Sequence, residues 1–335
     1  MSRRFRIALQ VLISGGILAY LFWRIDVGET ADLIAASSPG YLLAALALFV
    51  GTTWGMAWRW QALLSSKGIH EPLSWLTKLY FVSYAASQIL PTAVGGDAVR
   101  IVEHARRRPD AKAEAAAAVL MERVIGAVGT LLVVALGIAI AAGRYEDVRY
   151  VAWVEGILLV GTLVFLALVF SRRTGRHLQE RVFPLGRRLR IERPVASLYQ
   201  AMHEYRDRPS VLLLVLAVTI VTQLGRVVGI WFCGEAVGID VSPLVYFVLG
   251  PLLFLVQMAP FTINGLGVRE AFFVAFLARF DVPNDAAFAA GVLYYAALLA
   301  ASLPGGFILL WRSVRPAAPR PTGCGRRYRF APGKR

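Results

Sequence analysis

The chain alternates between long apolar stretches and short segments that carry most of its charge. Six of these stretches are long enough, or nearly so, to cross about 30 Å of hydrocarbon as α-helices. The pattern therefore predicts an all-α polytopic membrane protein with six spanning helices. The predicted spans are residues 7–23, 40–58, 113–142, 151–170, 211–232 and 286–311.

Two further apolar stretches do not fit a simple span. Residues 73–90 lead into a proline and a glycine pair, and residues 243–259 contain Pro251 and lead into another proline and a glycine-rich segment. Short apolar segments broken in this way are typical of helices that enter a bilayer and turn back. We therefore predict two re-entrant helical hairpins, at 73–99 and 243–269.

Composition and charge position agree with this interpretation. Hydrophobic residues make up 57% of the chain and charged residues 17%, whereas soluble proteins average about 25% charged residues. The net charge of +15 is concentrated at the N-terminus and in residues 100–112, 171–210 and 312–335. Because basic loops stay in the cytoplasm, we place these segments and both termini there.

Several functions are disfavoured by the absence of their motifs. The four histidines form no HExxH pair, and the two cysteines lie far apart. The sequence contains neither a Walker motif nor a Gly-x-Ser-x-Gly elbow. We therefore predict no metal, cofactor or catalytic residue. Nor do we expect a nucleic-acid partner, since no binding-fold pattern accompanies the charge.

The tips of the two predicted hairpins align without gaps at a constant offset of 169 residues. Gln, Pro, Gly, Val and Arg coincide at five of thirteen aligned positions, from Gln88 to Arg100 and from Gln257 to Arg269. The spans that flank each hairpin mirror one another in predicted orientation. The sequence thus predicts an inverted-topology repeat with halves at about 40–142 and 211–311.

A broken helix exposes unpaired backbone N–H groups, which favour an anion. Arginine adds a fork of donors that suits phosphate. We therefore predict that Arg100 and Arg269 bind an anionic headgroup between the two hairpin tips. Glycines in both tips would let the backbone approach that group: Gly95, Gly96, Gly265 and Gly267.

The acidic neighbours of these arginines have two interpretations each. Asp97 either holds Arg100 in place or relays a proton, while the alternative is an N-cap of the following helix. Glu270 is either part of the site or a local ion-pair partner of Arg269.

Other charged residues lie in or near the spans, where each is a functional candidate by default. Glu122 and Arg123 belong to the headgroup site or form a structural pair between spans. Arg59 contacts lipid phosphate or serves as a positive-inside anchor. Arg226 lies in the middle of a span, has the same two interpretations as Glu122 and Arg123, and is expected to turn inward.

The segment Leu-Pro-Thr-Ala-Val-Gly-Gly-Asp-Ala-Val-Arg that ends at Arg100 resembles the first signature of a known family. The family is the lysylphosphatidylglycerol synthase transmembrane region, also called the flippase-like domain, with its YbhN-type uncharacterised members. The resemblance covers about residues 5–312. Supporting matches are Trp58-Arg59-Trp60, Glu122-Arg123-Val124, the segment from Asn264 to Glu270, and Leu303-Pro304-Gly305-Gly306.

The resemblance implies a flippase-like transmembrane domain at 1–312, followed by a basic tail at 313–335 that we expect to be disordered. It implies lipid translocation at the inner (plasma) membrane and not lysyl transfer, because the aminoacyl transferase domain of relatives is not found in the sequence. Gly126 departs from the family pattern, since many relatives carry an acid there.

The expected function is transport of a lipid with an anionic or zwitterionic headgroup, which makes membrane lipids the expected partners. The alternative is an intramembrane lipid-modifying enzyme or an accessory subunit of a lipid or glycolipid synthase. A third hypothesis is a scaffold without a substrate.

Overall fold

The computed structural model describes residues 3–89, 95–141, 192–258 and 265–314, together with residues 160, 161 and 164. The regular structure within these ranges consists of helices. Short 3₁₀ turns lie at Pro109–Ala111, Glu204–Asp207 and Ala278–Phe280. The α-helices are α1 (Arg3–Arg24), α2 (Val27–Ala35), α3 (Pro39–Ser66), α4 (Leu73–Ile89), α5 (Gly95–Arg107), α6 (Lys112–Ala141), α7 (Glu192–His203), α8 (Pro209–Ala236), α9 (Pro243–Met258), α10 (Val268–Leu277) and α11 (Asn284–Val314).

Four of the predicted spans are confirmed as helices that are long and apolar enough to cross a membrane: α3, α6, α8 and α11. Helix α3 continues to Ser66, well past the predicted end at residue 58. Its last two turns contain Arg59 and other polar residues, which lower the apolar signal. Buried residues such as Trp60 and Leu64 nevertheless hold these turns in the core.

The first predicted span is only partly matched. Helix α1 meets α2 at an angle of 90°, and the two qualify as a span only when they are taken together. The break falls at Asp26, whose carboxylate accepts hydrogen bonds from the backbone N–H groups of Gly28 and Glu29 at 2.8 and 3.1 Å. This N-cap starts a new helix in a new direction.

Some predictions fall outside the described residues and stay predictions. They are the span at 151–170 apart from three residues, the part of the basic loop at 171–191, and the tail from residue 315 onward. The two hairpin tips, at 90–94 and 259–264, also lie outside the described residues.

The arms of the predicted hairpins are short helices. Helices α4 and α5 contain 17 and 13 residues, and α9 and α10 contain 16 and 10. Each is shorter than the roughly 20 residues that a spanning helix needs. Helix α9 continues through Pro251, where the sequence had indicated an interruption.

The two halves of the chain are interlocked. Helix α3 of the first half packs along α8 of the second. Helix α4 packs against α11, and α9 packs against α6, so the first arm of each hairpin contacts a span of the other half. Two large hydrophobic cores and one small cluster (Val134, Ile138 and Val248) result within the described residues. One large core is built mainly from α3, α4, α6 and α7, and the other mainly from α8 to α11.

Glycines allow the closest of these helix contacts. A Cβ atom on Gly55 of α3 would lie 2.6 Å from Thr222 Cγ2 of α8. Reciprocally, a Cβ on Gly225 of α8 would lie 3.1 Å from Thr52 Cγ2 of α3. Small residues let helix backbones approach closely in this way within membranes.

The same arrangement recurs where the hairpin arms pack. A Cβ on Gly137 of α6 would lie 2.8 Å from the carbonyl oxygen of Phe247 in α9. That carbonyl lacks its helical N–H partner because the residue four positions later is Pro251. A Cβ on Gly305 of α11 would overlap the carbonyl oxygen of Phe81 in α4.

Large apolar side chains cover the outside of the long helices. Leu12 and Trp23 of α1, Leu213 of α8, and Phe307 and Leu310 of α11 are all exposed. Large apolar side chains exposed in such numbers are typical of a surface that contacts a membrane or a partner. Together with the long apolar helices, it supports a multi-pass membrane protein.

Candidate functional site

A cavity of about 360 Å³ lies among helices α3, α4, α5, α6, α8 and α9. We call it the charged cavity because ionisable and polar side chains dominate its lining. Those side chains are Arg59, Tyr80, Asp97, Arg100, Glu122, Arg123, Thr130, Gln223, Arg226 and Gln257. The cavity thus combines five of the predicted site residues with others that the sequence analysis did not select.

Arg100 joins α5 to α6. Its Nε and Nη2 donate to Asp97 Oδ1 at 3.0 and 2.8 Å, because residues three apart share one face of a helix. Its Nη1 donates to Glu122 Oε2 of α6 at 2.7 Å. Asp97, the third residue of α5, therefore does hold Arg100 in place.

Glu122 is the centre of this network and is only 2% exposed. The Tyr80 hydroxyl donates to it, with both carboxylate oxygens at 2.8 Å. Arg59 Nη2 lies 3.5 Å from Glu122 Oε1, and Arg59 Nη1 donates to Thr219 Oγ1 at 2.9 Å. Through these contacts one carboxylate connects five helices. Glu122 therefore forms structural ion pairs between helices and also lines the cavity.

Aromatic rings enclose the guanidinium of Arg100. Its Cζ lies 4.3 Å from the centroid of the Tyr80 ring and 5.1 Å from that of the Trp60 ring. Both distances suit cation–π attraction. With two carboxylates and two rings around it, Arg100 is held rigidly.

The lining carries more positive than negative charge. Among the described lining residues, four arginines (Arg59, Arg100, Arg123 and Arg226) face two carboxylates (Asp97 and Glu122), which leaves a formal excess of two positive charges (4 − 2). Arg123 forms an ion pair with Asp97 Oδ2, and its side chain is 33% exposed.

Arg226 of α8 differs from the other three arginines. Its Cζ lies 4.6 Å from the centroid of the Phe254 ring. Within the described ranges no carboxylate lies within ion-pair distance of its guanidinium. As the sequence predicted, this mid-span arginine turns inward, onto the cavity wall.

The second predicted tip forms a separate cluster. Arg269 Nε donates to Glu270 Oε1 at 2.9 Å, and Arg269 Cζ lies 4.1 Å from the centroid of the Tyr295 ring. Glu270 Oε2 accepts from the backbone N–H of Gly267 at 2.8 Å. The local ion pair is therefore present, and neither residue is among the described lining of the charged cavity.

The glycines near the two tips allow positive φ angles or close helix packing. Gly265 and Gly267 have φ values of 78° and 85°, which glycine adopts without steric cost. A Cβ on Gly96 would lie 2.5 Å from the carbonyl oxygen of Ser83, so this glycine lets α5 pack closely on α4. Gly95, at the start of α5, is buried.

A second, smaller pocket of about 180 Å³ adjoins the charged cavity. The two share Met56, Tyr80, Asp97 and Arg226. Gly96 also lines the smaller pocket. Arg226 therefore lies at the boundary between the two spaces.

Sequence reasoning missed four polar lining residues as site candidates: Tyr80, Thr130, Gln223 and Gln257. Tyr80 looks like any other aromatic residue in an apolar stretch. Gln223 could have been found, because a polar side chain in the middle of an apolar span is unusual. Within the described part of the chain, no group of three or more His, Cys, Asp or Glu residues is placed to bind a metal.

The fold and the site define a multi-pass helical membrane protein with a charged cavity lined by its helices. The chain belongs to the lysylphosphatidylglycerol synthase TM region family, whose model matches residues 7–305. It is also similar to a UPF0104 membrane protein from Methanothermobacter thermautotrophicus, with 23% identity over 304 residues. That alignment covers 85% of this chain and 89% of the relative. The family resemblance seen in the sequence is thus confirmed.

Proposed function

We propose that the protein binds the headgroup of a membrane lipid in the charged cavity and moves it across the inner membrane. The observation that carries this proposal is the excess of two positive charges in the part of the lining that the structure describes (four arginines, two carboxylates). Uncompensated charge within a membrane protein is costly and marks a pathway or binding site for ions or substrates. A phosphate headgroup supplies the missing negative charge.

The size of the cavity agrees with a headgroup. Sites for small ligands range from about 300 to 1,000 Å³, and the charged cavity lies near the lower limit at about 360 Å³. That space suits a headgroup and leaves the acyl chains in the bilayer. Guanidinium groups recognise phosphate through paired N–H donors, and Arg226 is available for this role.

The packing supports an inverted repeat as the basis of movement. Contacts between the halves are reciprocal, because Gly55 faces Thr222 while Gly225 faces Thr52. The two glycines are 170 positions apart in the sequence, and so are the two threonines. In the same reciprocal way, α4 of the first half packs against α11 of the second half, and α9 of the second half packs against α6 of the first. Transporters built from inverted repeats bind substrate between the halves and rock one half against the other.

The cavity lies where such rocking would act. Helices α3 to α6 of the first half and helices α8 and α9 of the second half line it together. A relative movement of the halves would open the cavity to one leaflet and close it to the other.

Reconstitution tests the proposed function. Vesicles containing the protein and a trace of acyl-labelled anionic phospholipid are treated with a membrane-impermeant quencher, and the rate at which inner-leaflet label becomes quenchable is measured. We expect Arg226→Gln to slow this movement at least about tenfold, since a charged hydrogen bond contributes about 1.5–3 kcal/mol. The matched control is Arg106→Gln, whose side chain is 73% exposed.

Equal rates for wild type and Arg226→Gln would refute the role of the cavity. No movement above that of protein-free vesicles, for any labelled lipid, would refute transport. A chemical change in the recovered lipid would instead favour the lipid-modifying alternative.

Cysteine accessibility tests the orientation of the hairpins. Single cysteines replace the exposed residues His70, Arg106, Asp240 and Asp281 in a variant that lacks Cys324. We expect positions 70 and 106 to react from the cytoplasm, and positions 240 and 281 from the opposite side. Labelling of positions 70 and 106 from different sides would show that the first hairpin is an ordinary span.

A further inference from the structure

Both carboxylates of the charged cavity are already occupied. Asp97 Oδ1 accepts two hydrogen bonds from Arg100, and Asp97 Oδ2 pairs with Arg123. The Tyr80 hydroxyl lies 2.8 Å from both oxygens of Glu122. Each of these oxygens also contacts a guanidinium group, Oε1 that of Arg59 and Oε2 that of Arg100. An ammonium group entering the cavity would therefore find each carboxylate oxygen paired, next to an excess of positive charge.

Gln223 offers a free acceptor. Its Nε2 donates to Thr130 Oγ1 at 2.5 Å. The Thr130 hydroxyl proton is committed to the carbonyl of Gly126 at 2.8 Å, so Thr130 can only accept from Gln223. This fixes the orientation of the amide. The remaining atom, Gln223 Oε1, is buried and has no hydrogen-bond partner among the described residues.

A donor without a partner among the described residues lies on α9, in the same lining. Gln257 Nε2 is buried and finds no hydrogen-bond partner within the described parts of the chain, and Gln257 lines the cavity together with Arg226. Buried polar groups are nearly always hydrogen-bonded, and each exception calls for an explanation. A ligand in the cavity explains both glutamines.

The unpaired groups of the cavity indicate which kind of headgroup it binds. Arg226 needs an anion, Gln223 Oε1 needs a donor and Gln257 Nε2 needs an acceptor. A hydroxyl group both donates and accepts, whereas an ammonium group only donates and adds positive charge. Resting on the proposed function, we infer that the cavity selects a phosphate headgroup that carries hydroxyl groups, as glycerol or a sugar does, and no amine.

The test compares two lipids of equal net charge. Full-length protein is reconstituted in phosphatidylcholine vesicles with a trace of either phosphatidylglycerol or phosphatidylserine, both carrying the same acyl-chain label. Both headgroups have a net charge of about −1, but phosphatidylserine carries an ammonium and a carboxylate group where phosphatidylglycerol carries two hydroxyl groups. We expect phosphatidylglycerol to move about tenfold faster, the factor that one well-placed polar interaction provides.

Two substitutions at one position report on the mechanism. Gln223→Leu removes the acceptor and is expected to bring the two rates within about threefold of each other. Gln223→Glu adds a negative charge and is expected to speed phosphatidylserine relative to phosphatidylglycerol. The control is Gln61→Leu on α3, whose amide donates to the carbonyl of Glu71 outside the cavity lining.

The outcomes separate this inference from the proposed function. Equal rates for the two lipids in the wild type, or a preference for phosphatidylserine, would overturn the inference and leave transport intact. A wild-type preference that is unchanged in both Gln223 variants would also overturn it. Failure to move either lipid above protein-free vesicles would instead refute the transport proposal.

Discussion

Neutralising Glu122 is the sharpest test of how the site is held together. The carboxylate accepts from Arg100 at 2.7 Å and from Tyr80 at 2.8 Å, and it lies 3.5 Å from Arg59. Glu122→Gln keeps the shape of the side chain and removes its charge. We expect a large loss of stability, because two buried guanidinium groups lose their shared counter-ion.

The magnitude follows from the geometry. Two unit charges 4 Å apart attract by about 4 kcal/mol at an effective dielectric constant of 20. Measured losses for breaking a buried ion pair are about 3–5 kcal/mol. Because the glutamine retains one carbonyl acceptor and Arg100 retains Asp97, we expect a loss near the lower end, about 3 kcal/mol.

Unfolding in detergent micelles measures this loss, with Glu204→Gln as the matched control. Glu204 pairs with Lys67 at 2.8 Å, but its side chain is 51% exposed. The buried Lys67 ammonium keeps its hydrogen bond to the Ala201 carbonyl when the half-exposed Glu204 is neutralised, so the control should lose no more than about 1 kcal/mol. The double variant Glu122→Gln with Arg100→Gln should lose less than the sum of the single losses, by about 0.5–3 kcal/mol.

A loss below about 1 kcal/mol for Glu122→Gln, similar to that of the exposed control, would refute the reasoning. It would mean that water or another group already screens the two guanidinium groups. Strict additivity in the double variant would show that Arg100 and Glu122 are not coupled.

Two further predictions concern packing and pH. Gly305→Ala should destabilise the protein by about 1–3 kcal/mol, since the new methyl overlaps the Phe81 carbonyl. Gly306→Ala, with nothing within 4 Å, should be neutral or stabilising by up to about 1 kcal/mol; equal effects in thermal unfolding would contradict this contact. His104, outside the spans, lies between two tryptophan rings at 5.8 and 5.9 Å, and burial lowers its pKa. The unfolded chain therefore binds a proton first as the pH falls below about 6.5, so unfolding free energy should drop by up to about 1.4 kcal/mol per pH unit. His104→Phe should flatten that dependence. An unchanged pH profile would show that His104 is not the group that causes the loss of stability.

The sequence predicted the spans well where the apolar signal was continuous. Helices α6, α8 and α11 begin and end within a few residues of the predicted bounds. Helix α3 extends further because its last turns are buried against protein, which hydropathy does not measure. The 90° break at Asp26 is marked by an Asx cap, a local signal that a long apolar window averages away.

The sequence also selected most of the charged residues of the cavity, because ionisable residues in apolar segments are few. It could not show which of them meet. Arg100 and Arg269 occupy equivalent positions in the aligned tips, yet one is paired with α6 and the other with its own neighbour. The difference arises because a carboxylate, Glu122, faces the first tip, whereas Glu270 is the adjacent partner of Arg269.

What the sequence by itself determined is the class of protein: the apolar stretches, the basic loops and the paired motifs follow from residue type and spacing along the chain. The tertiary structure decided which charges are neutralised and which are left over. Neutralisation depends on distances of a few ångströms between helices far apart in sequence, as between Arg59 and Glu122 or between Gln223 and Thr130. That is why Arg226 emerged as the arginine available to a ligand only once the helices were packed.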